Sequence, residues 1–476
     1  MKNRLLSISK VVLFALFLGI AMICVNGTTM FGKDGSSLMP HWEFFLFFGA
    51  SIASFLAFLF VVAKPKKIYK PNLIILCGFS LVFLIGFFTL LTFEKEKVFT
   101  YNTLLEIEPE VFEFSGPEVS VSYVIEPIYR LTFICQWFLL VLVTYSIFDI
   151  VPKVFDRNEL LTYFCFGIFT IATFFCIYSY ITEAASYRDF IIKGIPEGNI
   201  TPYNTFSIFS VANKNSYGFM LFLAIICTLI MHSLKPKWWW FAATGYFYLN
   251  LIFNWNKSAL IFGALIILAY LIFRFFYTYK DNKKRNLITL SVIGGLSLCG
   301  VISLLVLELA THKIFDIIFS SGHAYGRSTL MTRSWIYHKD MIIFNDNSPL
   351  FGTGFKLFAH ILLAVNGADI ADTANRFIGS AHNGYFEMIG NGGLILLAAF
   401  LLLTAYLIYL SIIHFKEEKM VSFFTMLLVT IMLMYMMLES GTYIFSQTLD
   451  YSILSIIICV PILNVHHNHK AEAQKA

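Results

Sequence analysis

Long apolar runs, separated by short charged or glycine-containing turns, set the rhythm of the chain. A helix needs about 17–25 apolar residues to cross roughly 30 Å of hydrocarbon, and about twelve runs reach that length. They fall at 9–26, 42–63, 72–93, 131–152, 160–182, 214–233, 238–254, 258–279, 286–309, 384–413, 420–440 and 448–464. Two polar segments interrupt the series. The first, 94–130, carries Glu94, Glu96, Glu106, Glu108, Glu110, Glu113, Glu118 and Glu126, and its alternating 119–124 stretch predicts strand-like pieces in a solvated loop. The second lies between Ala310 and Tyr385. Within it, 334–344 has apolar positions at mixed three- and four-residue spacing, which predicts an amphipathic surface helix, and 351–365 predicts a second one. These helices either roof a cavity open sideways to lipid or form an ordinary cap over the bundle.

The expected architecture is therefore an all-α, polytopic membrane helix bundle with one large extracytoplasmic loop. Its parts are a transmembrane bundle over 1–310, the loop over 311–383, C-terminal transmembrane helices over 384–464 and a tail over 465–476. Composition agrees: 58% of the 476 residues are hydrophobic, 17% aromatic and only 13% charged, whereas soluble domains carry roughly a quarter charged residues.

Orientation follows from where cations gather in short loops, because such loops stay cytoplasmic. Lys2, Arg4 and Lys10 stand at or before the start of the first run, and Lys64, Lys66, Lys67 and Lys70 follow the second. Lys280, Lys283, Lys284 and Arg285 follow the eighth, and Lys416 and Lys419 follow the tenth. All fall on one side, with both termini cytoplasmic and both polar segments opposite. The first run ends at Val25-Asn26-Gly27-Thr28 without a small-x-small cleavage pattern, and is read as a retained helix. The net charge of +5 reflects this anchoring and includes no concentrated basic arm for a nucleic acid.

Cys24, Cys77, Cys135, Cys165, Cys176, Cys227, Cys299 and Cys459 all lie inside the apolar runs and form no CxxC pair, so they read as small packing residues. His466, His467 and His469 read as a polar tail, and no metal site or cofactor is expected. There is no GxxxxGK[ST] loop and no glycine-rich turn after a strand. An enzyme of this kind must receive its driving force with the substrate, as an activated lipid carrier would supply it.

The chemistry-bearing residues gather near one membrane boundary. Lys257 sits in the turn between two runs, and Arg327, Arg333 and Arg376 lie in the long loop. Cations at the edge of a bundle are costly unless paired or wetted, which makes each a candidate for an anionic ligand, with snorkelling to lipid headgroups as the plain alternative. Guanidinium matches phosphate oxygens as a fork, while ammonium acts as a point charge. His382 precedes the run starting at Gly384, beside Asn383 and shortly before Glu387 and Gly390-Asn391-Gly392-Gly393. A neutral imidazole there is suited to take a proton from a hydroxyl.

Ser348-Pro349-Leu350-Phe351-Gly352-Thr353-Gly354-Phe355, then Ala381-His382-Asn383-Gly384-Tyr385-Phe386-Glu387, then Gly392-Gly393-Leu394-Ile395-Leu396 resemble the core pattern of the O-antigen ligase and O-antigen polymerase superfamily. Arg333, followed by Trp335, fits that pattern's arginine. Asn213-Lys214-Asn215 resembles its Asn-x-Asn element, and Asn256-Lys257-Ser258-Ala259 its Ser-Arg-Gly-Ala element, with lysine in the arginine's place. The resemblance spans 205–405.

It implies a GT-C-like, inverting, metal-independent glycosyltransferase of the bacterial inner membrane, working on the periplasmic face. The donor would be a glycan on undecaprenyl diphosphate and the acceptor a hydroxyl of lipid A-core, of a growing glycan or of a protein, with O-antigen ligase as the leading expectation and repeat-unit polymerase or protein O-oligosaccharyltransferase as alternatives. His382 and Arg333 would be catalytic, and Lys257, Arg327 and Arg333 would hold the diphosphate. Asn213, Asn215, Arg376, Asn383 and Glu387 would support them. The competing class is a lipid-linked glycan flippase, which would show internal repeats and mid-membrane ionisable residues; neither stands out here.

Overall fold

The computed structural model describes residues 96–108, 111–124, 157–182, 214–254, 256–278, 329–346, 349–354, 357–372, 378–413 and 419–437, together with isolated positions 77, 81, 84, 184 and 415. The described chain is mostly helical. In order it contains β1 (Glu96–Asn102), β2 (Leu105–Glu108), β3 (Val111–Glu113), β4 (Glu118–Val124), α1 (Arg157–Thr182), α2 (Lys214–Leu234), α3 (Trp238–Asn254), α4 (Lys257–Thr278), α5 (Thr329–Asp346), α6 (Leu357–Ala368), α7 (Gly384–Ile413) and α8 (Lys419–Met436).

Six of the expected runs coincide with α1, α2, α3, α4, α7 and α8. Among the described residues three helices are long and apolar enough to cross a membrane: Tyr217–Leu234, Ser258–Phe276 and Gly384–Ile413. The expected runs at 9–26, 42–63, 131–152, 286–309 and 448–464 lie outside the described residues, and 72–93 does so apart from helical Cys77, Leu81 and Leu84. Cys165, Cys176 and Cys227 are free thiols buried in side-chain packing.

The chain divides into two compact units, one made of Cys176–Phe209 and Tyr217–Thr332, the other of Met1–Phe175, Ser210–Ser216 and Arg333–Ala476. The first contains most of α2, α3 and α4, with 235–237 linking α2 to α3. Apolar surface alone gives helices in lipid little reason to associate, so polar pairs and close approaches carry more of the work. Thr228 and Thr244 hydroxyls meet at 2.8 Å, and Tyr180 donates to Asn250 Oδ1 at 2.7 Å. The His232 ring, Ser233 and Arg274 all converge on the Tyr270 hydroxyl. Asn256 Oδ1 accepts the Ala259 N–H at 3.0 Å and so caps α4.

The second unit corrects the all-α expectation. The acidic segment is a nested antiparallel hairpin: β1 pairs with β4, with Phe99 opposite Val121 and Tyr101 opposite Val119, and β2 pairs with β3 across a bulge. Side chains alternate between faces along a strand. One face, with Phe99 and Tyr101 fully or nearly buried and Val121 partly so, joins Ile336 and Ile343 of α5 and Phe358, Ile361, Leu362 and Val365 of α6 in a single apolar core. The other face exposes Val98 and Thr100. Burying such an aromatic contributes about 1.5–3 kcal/mol, which explains why an acidic sequence holds to the protein instead of remaining wholly solvated.

Polar contacts fix the hairpin further. Tyr101 donates its hydroxyl to Val365 O at 2.6 Å, and Leu104 N–H donates to Asp369 Oδ2 at 3.3 Å. Burial, and secondarily the Asp369 and Asp372 carboxylates, push the Tyr101 hydroxyl well above its usual pKa, which keeps it a donor. Phe112 tilts against Trp335 at 5.0 Å between ring centroids, and Phe114 stacks on His338 at 4.0 Å.

The two surface helices need new bounds. The helix expected over 334–344 extends over Thr329–Asp346, while the one expected over 351–365 begins only at Leu357, because Gly352 and Gly354 take left-handed backbone at φ 67° and 111° in a turn. The face of α5 turned inward also differs from a simple amphipathic reading: Trp335, Ile336, Lys339, Asp340 and Ile343 are the buried positions. Lys339 tolerates burial because Asp369 Oδ2 and Asp372 Oδ2 lie 3.1 and 2.8 Å from its Nζ, all three side chains being fully enclosed.

Candidate active site

The two glycine-rich motifs are bound to each other through their backbones. α7 breaks at Gly393, whose φ of 64° and ψ of −165° are not helical. A break inside an apolar helix leaves carbonyls and N–H groups that must find partners elsewhere. The turn at 349–354 supplies them. Thr353 N–H and Oγ1 donate to Gly390 O at 2.8 and 3.0 Å, and Gly354 N–H donates to Asn391 O at 2.8 Å. In return, Leu394 N–H donates to Pro349 O at 3.0 Å and Ile395 N–H to Leu350 O at 3.3 Å.

This clamp explains the glycines. A Cβ at Gly393 would stand 2.3 Å from Leu350 C and O, and one at Gly352 would stand 2.7 Å from Gly390 O and from the Gly392 and Gly393 nitrogens. Both positions also have the positive φ that only glycine adopts freely. Asn391, fully buried, donates from its side chain to Glu387 O at 2.7 Å and steadies the half-helix before the break.

The start of that half-helix carries the histidine. Asn383 Oδ1 accepts the Tyr385 and Phe386 N–H groups at 2.9 and 3.3 Å, so Asn383 is the N-cap of α7. Its amide also donates to Met437 O, and Tyr385 donates to Leu433 O, which ties the capped turn to α8. Glu387 Oε1 reaches back to accept the Ala381 N–H at 2.9 Å. Between these contacts His382 is held at φ 49°, the one non-glycine residue with positive φ among the described residues, while its N–H donates to Ser380 Oγ at 3.2 Å. Such a conformation costs about 1–3 kcal/mol and persists only where its surroundings enforce it. The side chain is half-buried.

Helix α5 lies against this start. Tyr337 stacks on Phe386 with centroids 4.8 Å apart and planes 6° from parallel. Half-buried Arg333 is one turn before Tyr337 on the same side of α5, and His382 is four residues before Phe386. The stack thus brings the Arg333-bearing helix and the His382-bearing turn to one place in one unit. Of the supporting residues, Asn383 acts as the cap, and Glu387 accepts a hydrogen bond from the backbone of Ala381.

Lys257 is the first residue of α4 and Asn215 the second of α2, with side chains outside the described residues. Arg327, Arg376 and Asn213 lie outside them altogether.

Sequence reasoning passed over Lys339, Asp340, Asp369 and Asp372, all buried in the same unit. A signal was present: Lys339 and Asp340 are spaced at three and four residues from Ile336 and Ile343, within the apolar stripe. Asp340 is the most perturbed. Neither of its oxygens has a hydrogen-bond partner among the described residues. Burial and then repulsion from Glu387 hold its carboxyl well above the usual range, against the attraction of Lys339.

Comparison with known proteins adds no relative: no family model matches the chain, and no curated protein matches it.

Proposed function

We propose that the protein is a multi-pass membrane glycosyltransferase that moves a glycan from undecaprenyl diphosphate to an acceptor hydroxyl, with lipid A-core as the acceptor. What supports this reading most is the mutual clamp between the 349–354 turn and the break at Gly390–Gly393. Two motif blocks that resemble one family by order and spacing are also physically coupled.

In this reading the acceptor oxygen attacks the anomeric carbon as the bond from that carbon to the diphosphate oxygen breaks. The configuration inverts, the acceptor proton passes to the His382 imidazole, and undecaprenyl diphosphate departs. Arg333 neutralises the charge that grows on the leaving diphosphate, where aimed cations are worth most. Asn383 and Glu387 hold the histidine turn, while Asn213, Asn215 and Arg376 line the donor site. The protein resides in the bacterial inner membrane with both termini cytoplasmic and the His382 turn at the periplasmic face.

Glycolipid profiling of a strain lacking the protein tests the assignment. Free lipid A-core together with accumulated undecaprenyl-linked polymer is the expected result. Core capped by one repeat unit would indicate a polymerase, and an unchanged glycolipid profile would overturn both.

A further inference from the structure

The end of the α2–α3 hairpin joins the last turns of α4 through one polar knot. His232, in the last turn of α2, is its centre. Phe241 of α3 meets the His232 ring edge-on at 4.3 Å between centroids, and the Tyr270 hydroxyl of α4 lies 2.7 Å from His232 Nδ1. Ser233 Oγ donates to the same hydroxyl at 3.2 Å. Arg274, one turn further along α4, sets Nη1 against the His232 ring and donates from it to the Tyr270 hydroxyl at 3.2 Å. All of these contacts run through Nη1, so the Nε and Nη2 edge of the half-buried guanidinium is left over among the described residues.

The surface around this edge is cationic and aromatic. Lys235, Lys237, Trp238 and Trp239 are exposed, Trp238 by 80%, whereas Trp240 is buried. The stretch 214–280 contains no Asp or Glu, so α2, α3 and α4 bring no carboxylate of their own to these cations. Indoles and cations at the end of an apolar hairpin suit a bilayer interface, where the rings sit at headgroup level and long basic side chains reach toward phosphate.

We propose that this hairpin end binds the headgroup phosphate of an anionic phospholipid, with Arg274 as the fork, Lys235 and Lys237 as flanking point charges, and Trp238 and Trp239 seated against the glycerol and upper acyl chain. Guanidinium pairs two N–H groups with two phosphate oxygens, which fits the free edge of Arg274. The occupant is a lipid and not a soluble anion because the two exposed indoles offer apolar area that only an acyl chain can cover. The inference does not depend on the glycosyl-transfer reading.

The test uses the full-length protein in phosphatidylcholine vesicles that contain a fixed fraction of either acyl-brominated phosphatidylglycerol or acyl-brominated phosphatidylcholine. Tryptophan fluorescence of the wild type should be quenched more strongly by the anionic lipid, and Trp238→Phe combined with Trp239→Phe should remove the difference. A cation near the surface is worth about fivefold in lipid partition, so Arg274→Gln should reduce the preference by about that factor, and Lys235→Gln with Lys237→Gln should reduce it again. Equal quenching of the wild type by the two lipids overturns the site whether or not any variant folds. A difference that persists without the two indoles places the lipid elsewhere and also overturns it. A preference undiminished in folded Arg274→Gln removes the fork. Loss of the preference on adding inorganic phosphate at constant ionic strength would assign the cations to a soluble anion and overturn the lipid as occupant.

Discussion

His382 concentrates the residue-scale question, because its left-handed backbone is expensive and its neighbours are arranged to impose it. His382→Ala should lower glycan transfer by about 10²–10⁴-fold if the imidazole is the general base. Thermal unfolding should change little, since the ring is half-buried and the cap belongs to Asn383. Assays of transfer by purified protein, alongside melting curves, separate the two effects. Arg333→Lys keeps the charge and loses the fork, and should weaken donor binding while leaving the fold intact; full activity would show that a point charge suffices. Asp340 predicts a pH dependence of stability. Its folded pKa is raised, so the unfolded chain binds fewer protons, and stability should fall as pH climbs from about 4 toward the folded pKa. Asp340→Asn should flatten that slope in melts followed across pH.

At the scale of elements, the clamp between the 349–354 turn and broken α7 is the joint most sensitive to small changes. Gly393→Ala puts a methyl group 2.3 Å from the Leu350 backbone at a position that already needs positive φ, and it should prevent the two segments from mating. Trypsin susceptibility of the polar insert would report it. Lys339 holds α5 to the segment after α6. Lys339→Met leaves Asp369 and Asp372 buried and uncompensated, with an expected loss of about 3–5 kcal/mol, whereas replacing all three by apolar or amide side chains should restore most of it. Denaturation of the three forms in mild detergent distinguishes these outcomes.

For the whole molecule, the hairpin joins a segment preceding α1 to helices beyond α4, so the second unit is built from distant parts of the chain. Phe99→Ala should cost about 3–5 kcal/mol by leaving a cavity against Ile361 and Val365. The resulting loosening of α5 and α6 should appear as faster hydrogen exchange in both helices. A hairpin that served only as a solvated loop would transmit nothing to them.

The apolar runs announced α1, α2, α3, α4, α7 and α8 because a helix in lipid must satisfy its own backbone and present apolar residues all round, a local demand written residue by residue. Gly352, Gly354, the glycines at 390, 392 and 393, and Asn383 before Gly384 were visible as residues, but the turn, the break and the cap they form were not. What stayed hidden depended on partners far away in the chain. Nothing in Glu96–Val124 says that one face of an acidic hairpin will meet Ile361 and Val365. Likewise the burial of Lys339 is intelligible only once Asp369 and Asp372 are brought beside it. Local chemistry therefore determined the elements and the residues able to act. Long-range contact alone decided that the 349–354 turn fills the break in α7 and that α5 stands at the start of that helix. Both junctions rest on hydrogen bonds, ring stacking and buried charge between segments that neither periodicity nor composition relates.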